Sequence, residues 1–117
     1  MKRIAIPVVK SQLSEYFGHC NHYKIFEIDE GIVKSEQLEV PPKEDIKKLP
    51  EWAVSKGITD IITYKIDKHI INLFAPLKIN LFIGVPIGTP GKLIKDYING
   101  KLKSDETIIS KIISNNE

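Results

Sequence analysis

Hydrophobic and polar positions predict a first half made of strands. Residues 4–9 are apolar on both faces, which is typical of a central strand, and Pro7 lacks a backbone N–H, so we expect pairing to end near it. Residues 23–29 and 32–40 indicate two further strands, joined by a hairpin turn at residues 29–31. Charged side chains recur along the third strand, which predicts the edge of a sheet.

The second half of the chain predicts alternating helices and strands. Residues 49–57 indicate a short helix, with proline in the first turn and glycine at the end. Residues 58–63 form a brief apolar strand, and a helix over residues 67–77 begins at an aspartate that can cap it. Residues 79–85 form the next predicted strand, and a third helix covers residues 90–99.

This order of elements predicts one mixed five-stranded sheet, a meander of three antiparallel strands followed by two crossover units. With helices on its faces, the chain resembles a compact, three-layer ribonuclease H-like α/β fold. Ligands of such sheets bind beyond the carboxyl ends of the parallel strands. Three segments therefore form the predicted crevice, at residues 11–22, 64–68 and 84–90.

The composition is that of one globular domain, because 42% of the 117 residues are hydrophobic and 27% are charged. We expect this domain to span residues 1–103 and residues 104–117 to form a tail, with a short amphipathic helix as one option. The apolar stripe of that tail consists of Ile108, Ile109, Ile112 and Ile113.

Charge, hydropathy and cysteine content exclude several classes of function. The 17 basic and 15 acidic residues are dispersed and give a net charge of +2, so we expect no nucleic-acid partner. No stretch is long enough to span a bilayer and no signal-peptide pattern is present, so we expect a cytoplasmic protein with no membrane partner. The single cysteine, Cys20, is either a small apolar residue or a free thiol.

The strongest candidate for metal chemistry is the group His19, Cys20 and His22. A thiolate and neutral imidazoles are competent ligands for zinc, copper(I) or iron. Adjacent residues often point apart, so a monomer offers two or three ligands and leaves room for an exogenous cluster, water or a partner's residues. The alternative is that Cys20 is a buried apolar residue and the histidines are polar groups of a loop.

A second candidate feature is the turn before the third predicted helix. Thr89 can cap that helix, which leaves free backbone N–H groups after Gly88 to face the crevice and attract an anion. Lys65 and Lys68 can add positive charge to the same rim, and His69 lies near the start of the second helix. The alternative is that these residues form an efficient turn with solvated side chains around it.

Several short motifs follow one another in a family-specific order. They are IAIPV at residues 4–8, FGHC at 17–20, PP at 41–42, LPEW at 49–52, KGITDII at 56–62 and YINGKL at 97–102. In this order they resemble the dinitrogenase iron-molybdenum cofactor biosynthesis family, in particular its small stand-alone NifX-like members. The resemblance covers residues 2–102 and implies a ribonuclease H-like fold.

The resemblance implies a non-enzymatic carrier of an iron-sulfur or molybdenum-containing cluster, or of its precursor. Its partners would be that cluster or an anionic small ligand and a cofactor-assembly protein, and we expect a monomer or weak homodimer. Cys20 would be the soft anchor, with His19 and His22 as auxiliary ligands. The residues that would contact the cofactor are Phe17, Gly18, His19, Cys20, Lys65, His69, Gly88 and Thr89.

Departures from the family pattern keep an alternative function open. Tyr16 stands where the family has a histidine, and residues 64–67 replace a glycine-rich turn. The alternative is a relative that has lost cluster binding and acts as a protein-interaction or regulatory module. Hydrolysis of nucleic acid is not expected, because residues 4–8 of the first strand lack the carboxylates that would hold magnesium.

Overall fold

The computed structural model describes residues 1–18, 20, 22–41, 46–102 and 107. The strands are β1 (Lys2–Val9), β2 (Gln12–Leu13), β3 (His22–Asp29), β4 (Ile32–Glu39), β5 (Asp60–Ile62) and β6 (Asn80–Phe82). The helices are α1 (Leu49–Ser55), α2 (Lys68–Phe74) and α3 (Pro90–Ile98), and 3-10 turns cover Ile46–Lys48 and Ala75–Leu77.

The strands form one mixed sheet. Its main order is β4-β3-β1-β5-β6, and the short β2 pairs with β1 outside this path. Strand β1 is antiparallel to β3 and parallel to β5, and β5 is parallel to β6. The carboxyl ends of the three parallel strands therefore meet at one end of the sheet, which we call the carboxyl end.

Side chains alternate along the central strand and fill two cores. Ala5 points to the side that packs against α1 and α2, which we call face A. Ile4 and Ile6 point to the side that packs against α3, which we call face B. All three side chains are fully buried, so the hydrophobic period of this strand determines how the helices are layered on the sheet.

The predicted fold class is confirmed, with the meander, the two crossover units and the edge position of β4 as expected. Strand β2 was not predicted, and the pairing predicted to end near Pro7 continues, because Pro7 lies opposite Tyr23. The Pro7 carbonyl accepts from the Ser14 N–H at 2.8 Å. The proline nitrogen therefore faces away from β3, so the β1–β3 ladder loses no hydrogen bond through the absence of an N–H at Pro7.

Two other expectations concern a membrane-spanning helix and the C-terminal tail. Among the described residues, none of the helices has the length and apolar character needed to cross a bilayer. The expected isoleucine stripe at residues 108–113 lies outside the described residues.

Candidate functional site

The three segments of the predicted crevice do meet at the carboxyl end, and backbone hydrogen bonds join them. The first segment, residues 11–22, bonds to each of the other two. The bonds run from Leu13 N to Gly88 O (2.9 Å), from Phe17 N to Lys65 O (2.8 Å), from Lys65 N to Glu15 O (3.1 Å) and from Gly84 N to Tyr64 O (2.8 Å). Backbone hydrogen bonds therefore join all three loops.

Phe17 anchors the first segment in the core instead of lining an open crevice. Its side chain is 4% exposed and lies on face A. Its ring meets those of Tyr23 and Phe74 edge to face, with centroids 5.9 Å and 5.8 Å apart. Gly18 follows with a φ of 91°, a conformation that glycine adopts without strain, and this turns the chain at the rim.

Cys20 lies at the rim of the same aromatic group. It is a free cysteine of intermediate burial that packs against the face A core. Burial raises the pKa of its thiol, and the neighbouring Tyr23 hydroxyl and Val8 backbone act in the opposite direction. The free sulfur is therefore a neutral thiol at neutral pH, and a metal ion has to displace its proton.

Tyr23 is the residue of this site that the sequence analysis missed. Its side chain is 1% exposed, and its hydroxyl oxygen is buried without a hydrogen-bond partner in the described part of the chain. Burial raises its pKa well above 10.0, the adjacent Cys20 raises it further, and the Gly18 backbone acts in the opposite direction. The two groups are thus neighbours without a hydrogen bond of normal geometry between them. A phenol amid the apolar positions of β3 is the signal that could have revealed it.

The predicted histidine ligands are not brought together with the cysteine. His22 lies directly opposite Val8, whose side chain belongs to the face B core. Opposite residues of an antiparallel pair share a face, so His22 lies on the other side of the sheet from Cys20. His19 lies outside the described residues. Within the ranges that are described, no group of three His, Cys, Asp or Glu side chains could hold a metal ion.

Lys65 and His69 lie at the carboxyl end but are engaged locally. The Lys65 ammonium is 3.7 Å from a Glu15 carboxylate oxygen and 5.1 Å from the centroid of the Tyr16 ring. His69 is exposed, and its backbone N–H donates to the Asp67 carboxylate at 2.8 Å, which caps α2 as the sequence predicted. The positive charge of this rim is therefore partly balanced.

The start of α3 has the predicted geometry. Thr89 is the N-cap, and its hydroxyl accepts from the Lys92 N–H at 3.4 Å. A side-chain carbon placed on Gly88 or Gly91 would meet nothing within 4 Å, so the space in front of this turn is open. Strands β1 and β2 both lie between β3, which Cys20 precedes, and Gly88, whose carbonyl accepts a backbone hydrogen bond from β2.

A buried carboxylate at the opposite end of the sheet was also not predicted. Asp60 is 2% exposed and accepts hydrogen bonds from Thr59 (2.6 Å), Asn80 (3.3 Å) and Tyr97 (3.2 Å). A cavity of about 300 Å³ adjoins this end, with Lys2 and Tyr97 among its lining residues. These residues are distant from the predicted crevice, and the partners of Asp60 account for its burial.

A family model described as dinitrogenase iron-molybdenum cofactor matches residues 1–100. An uncharacterised protein of Methanocaldococcus jannaschii, MJ0580, is 25% identical over 111 residues, which cover 91% of this chain and 93% of that protein. The crystal structure of PH0822 matches with a TM-score of 0.81 and 31% identity, covering 88% of this chain and 94% of the other.

Two further solved structures show the same fold. One is a candidate dinitrogenase of M. jannaschii, MJ0327, with a TM-score of 0.71, 24% identity and coverage of 88% of this chain and 93% of the other. The second is a candidate NifB protein from Thermotoga, with a TM-score of 0.65, 21% identity and coverage of 89% and 93%. At these identities the likeness concerns the fold alone.

Proposed function

Because this chain belongs to the dinitrogenase iron-molybdenum cofactor family, we propose that it binds and carries an iron-sulfur or molybdenum-containing cluster, or a precursor of one. The cluster is cargo, and the proposed activity is binding and release rather than catalysis. The observation that carries the proposal is the position of Cys20, a free and partly accessible sulfur at the carboxyl end of a family-type sheet.

The donor set suits a cargo that keeps most of its own ligands. The described residues supply one soft ligand, the Cys20 sulfur, because His22 lies on the other face of the sheet. A cluster carries bridging sulfides and can retain ligands from small thiols or from a delivering protein. One protein thiolate then gives an attachment that can be exchanged, which is what a carrier requires.

The turn at Gly88 supports the same proposal. Such clusters are anionic, and the start of α3 carries the positive end of the helix dipole, although Pro90 has no N–H and the Lys92 N–H donates to the Thr89 cap. The space in front of Gly88 is open. Helix α3 packs on face B whereas Cys20 lies on face A, so a cargo held by Cys20 would have to reach around the carboxyl ends of β1 and β2 to contact this turn.

The test is anaerobic reconstitution of the purified protein with iron, sulfide and molybdate under reducing conditions. Metal stoichiometry and visible absorption are recorded for the wild type, for Cys20→Ser and for a matched control, Ser55→Ala, on the exposed end of α1. We expect a coloured wild type and control and a bleached Cys20→Ser. A wild type that stays colourless and metal-free would refute the proposal.

A second candidate function is favoured by the edge strand. Large apolar side chains exposed along this edge are Leu38 and Ile32 at opposite ends of β4, 65% and 57% exposed, and Val40 just beyond it, 64% exposed. These residues fit a module that binds another protein through β4 and has lost cluster binding. Sedimentation of the purified chain with and without Leu38→Lys tests this surface for self-association, which that change would weaken.

A further inference from the structure

The buried hydroxyl of Tyr23 lacks a partner that folded proteins normally supply. Most buried polar atoms are hydrogen-bonded, so an exception calls for an explanation. The Tyr23 ring cannot swing toward solvent, because it packs against Phe17 at 5.9 Å and against Trp52 at 5.0 Å between centroids. Its hydroxyl is thus held beside Cys20 and the Gly18 backbone without a hydrogen bond of normal geometry to either.

We propose that the Tyr23 hydroxyl donates a hydrogen bond to the Cys20 sulfur when that sulfur binds a soft metal as a thiolate. This inference rests on the proposed function, because it assigns to the same sulfur a positioning residue that completes the site. A metal-bound sulfur would thus give the hydroxyl the partner that it lacks among the described residues. Tyr23 keeps its own proton throughout.

The reason for this hydrogen bond is the difference between a neutral thiol and a metal-bound thiolate as acceptors. A neutral thiol is a weak acceptor, so the hydroxyl gains little from it. When a metal ion binds, the metal–sulfur bond replaces the S–H bond and the proton leaves to solvent. The bound sulfur keeps partial negative charge in a partly buried position, where a fixed donor is worth more than in water. Hydrogen bonds to ligating sulfurs are an established way in which proteins tune a metal.

The test uses Cd²⁺ alone as the probe, so that it does not depend on cluster assembly. Binding is followed by the thiolate-to-cadmium absorption band and by calorimetry for the wild type, Tyr23→Phe, Cys20→Ser and a matched control, Tyr64→Phe, a half-buried tyrosine at the same end. We expect Cys20→Ser to lose the band and Tyr23→Phe to bind about tenfold more weakly, because a hydrogen bond to a charged group is lost. Tyr64→Phe should bind as the wild type does.

A stability measurement separates positioning from a structural role. Removing a hydroxyl that lacks a partner should leave the urea midpoint of unloaded Tyr23→Phe at or above that of the wild type. A lower midpoint, equal Cd²⁺ affinity for both proteins, or no thiolate band in the wild type would each overturn the inference. Cluster reconstitution tests the proposed function separately, so the two can fail independently.

Discussion

The substitution Phe17→Ala tests whether the loop that carries Cys20 is anchored by core packing. Phe17 is 4% exposed and contacts two other rings edge to face. An aromatic side chain that buries about 150 Å² contributes about 4 kcal/mol at about 25 cal/mol per Å². Core Phe→Ala changes lower the free energy of unfolding by about 3–5 kcal/mol, and partial collapse of the rim into the cavity reduces that loss. We therefore expect Phe17→Ala to lower the free energy of unfolding by about 3 kcal/mol.

The assay is urea unfolding followed by fluorescence of the single tryptophan, with the slope m unchanged. The adjacent residue offers a matched control, since Tyr16 is 47% exposed. Tyr16→Ala removes an aromatic ring of similar size but should cost less than about 1 kcal/mol. Phe17→Ala should also speed alkylation of Cys20 in the native protein. Equal losses for the two variants, or less than about 1 kcal/mol for Phe17→Ala, would refute the anchoring argument.

Four further predictions follow from single contacts. Asp60→Asn should cost about 1–3 kcal/mol in urea unfolding, because the amide cannot accept from all three donors. Burial and the adjacent Asp60 raise the pKa of Tyr97 to about 12. From about pH 10 upward the unfolded chain therefore binds fewer protons than the folded protein, and the free energy of unfolding falls toward pH 12. Tyr97→Phe should remove that part of the fall, seen as the difference between the urea midpoints of the two proteins. Asp67→Ala should cost about 1 kcal/mol through loss of the cap on α2, whereas Asp67→Ser should cost less. Native Cys20 should react with iodoacetamide at pH 8 more slowly than glutathione does and gain rate on unfolding, because burial raises its pKa; equal rates would contradict this.

The sequence was sufficient to predict the fold because its signals are local. The apolar run at residues 4–9 indicated a central strand, and the changes of period indicated the crossover helices. Caps at Asp67 and Thr89 were read from residue type alone and are present in the structure. The missed strand β2 is two residues long, too short to give a periodic signal.

The candidate site was predicted less completely because it depends on contacts between distant segments. The meeting of the three loops followed from topology, but Phe17 was predicted to contact a ligand and instead lies in the core. The buried Asp60 takes one of its hydrogen bonds from Tyr97, 37 residues away in the sequence. No local pattern encodes such a pair.

The sequence by itself determined the order of elements, the edge strand and the end of the sheet at which the loops gather, since hydrophobic period and turn residues specify these locally. Only the tertiary structure decided that Cys20 lies beside the Tyr23 hydroxyl while His22 lies on the other face. The physical reason is that a side chain's direction at a loop–strand junction depends on how far the chain turns before pairing begins. Packing of Phe17 into the core sets that turn.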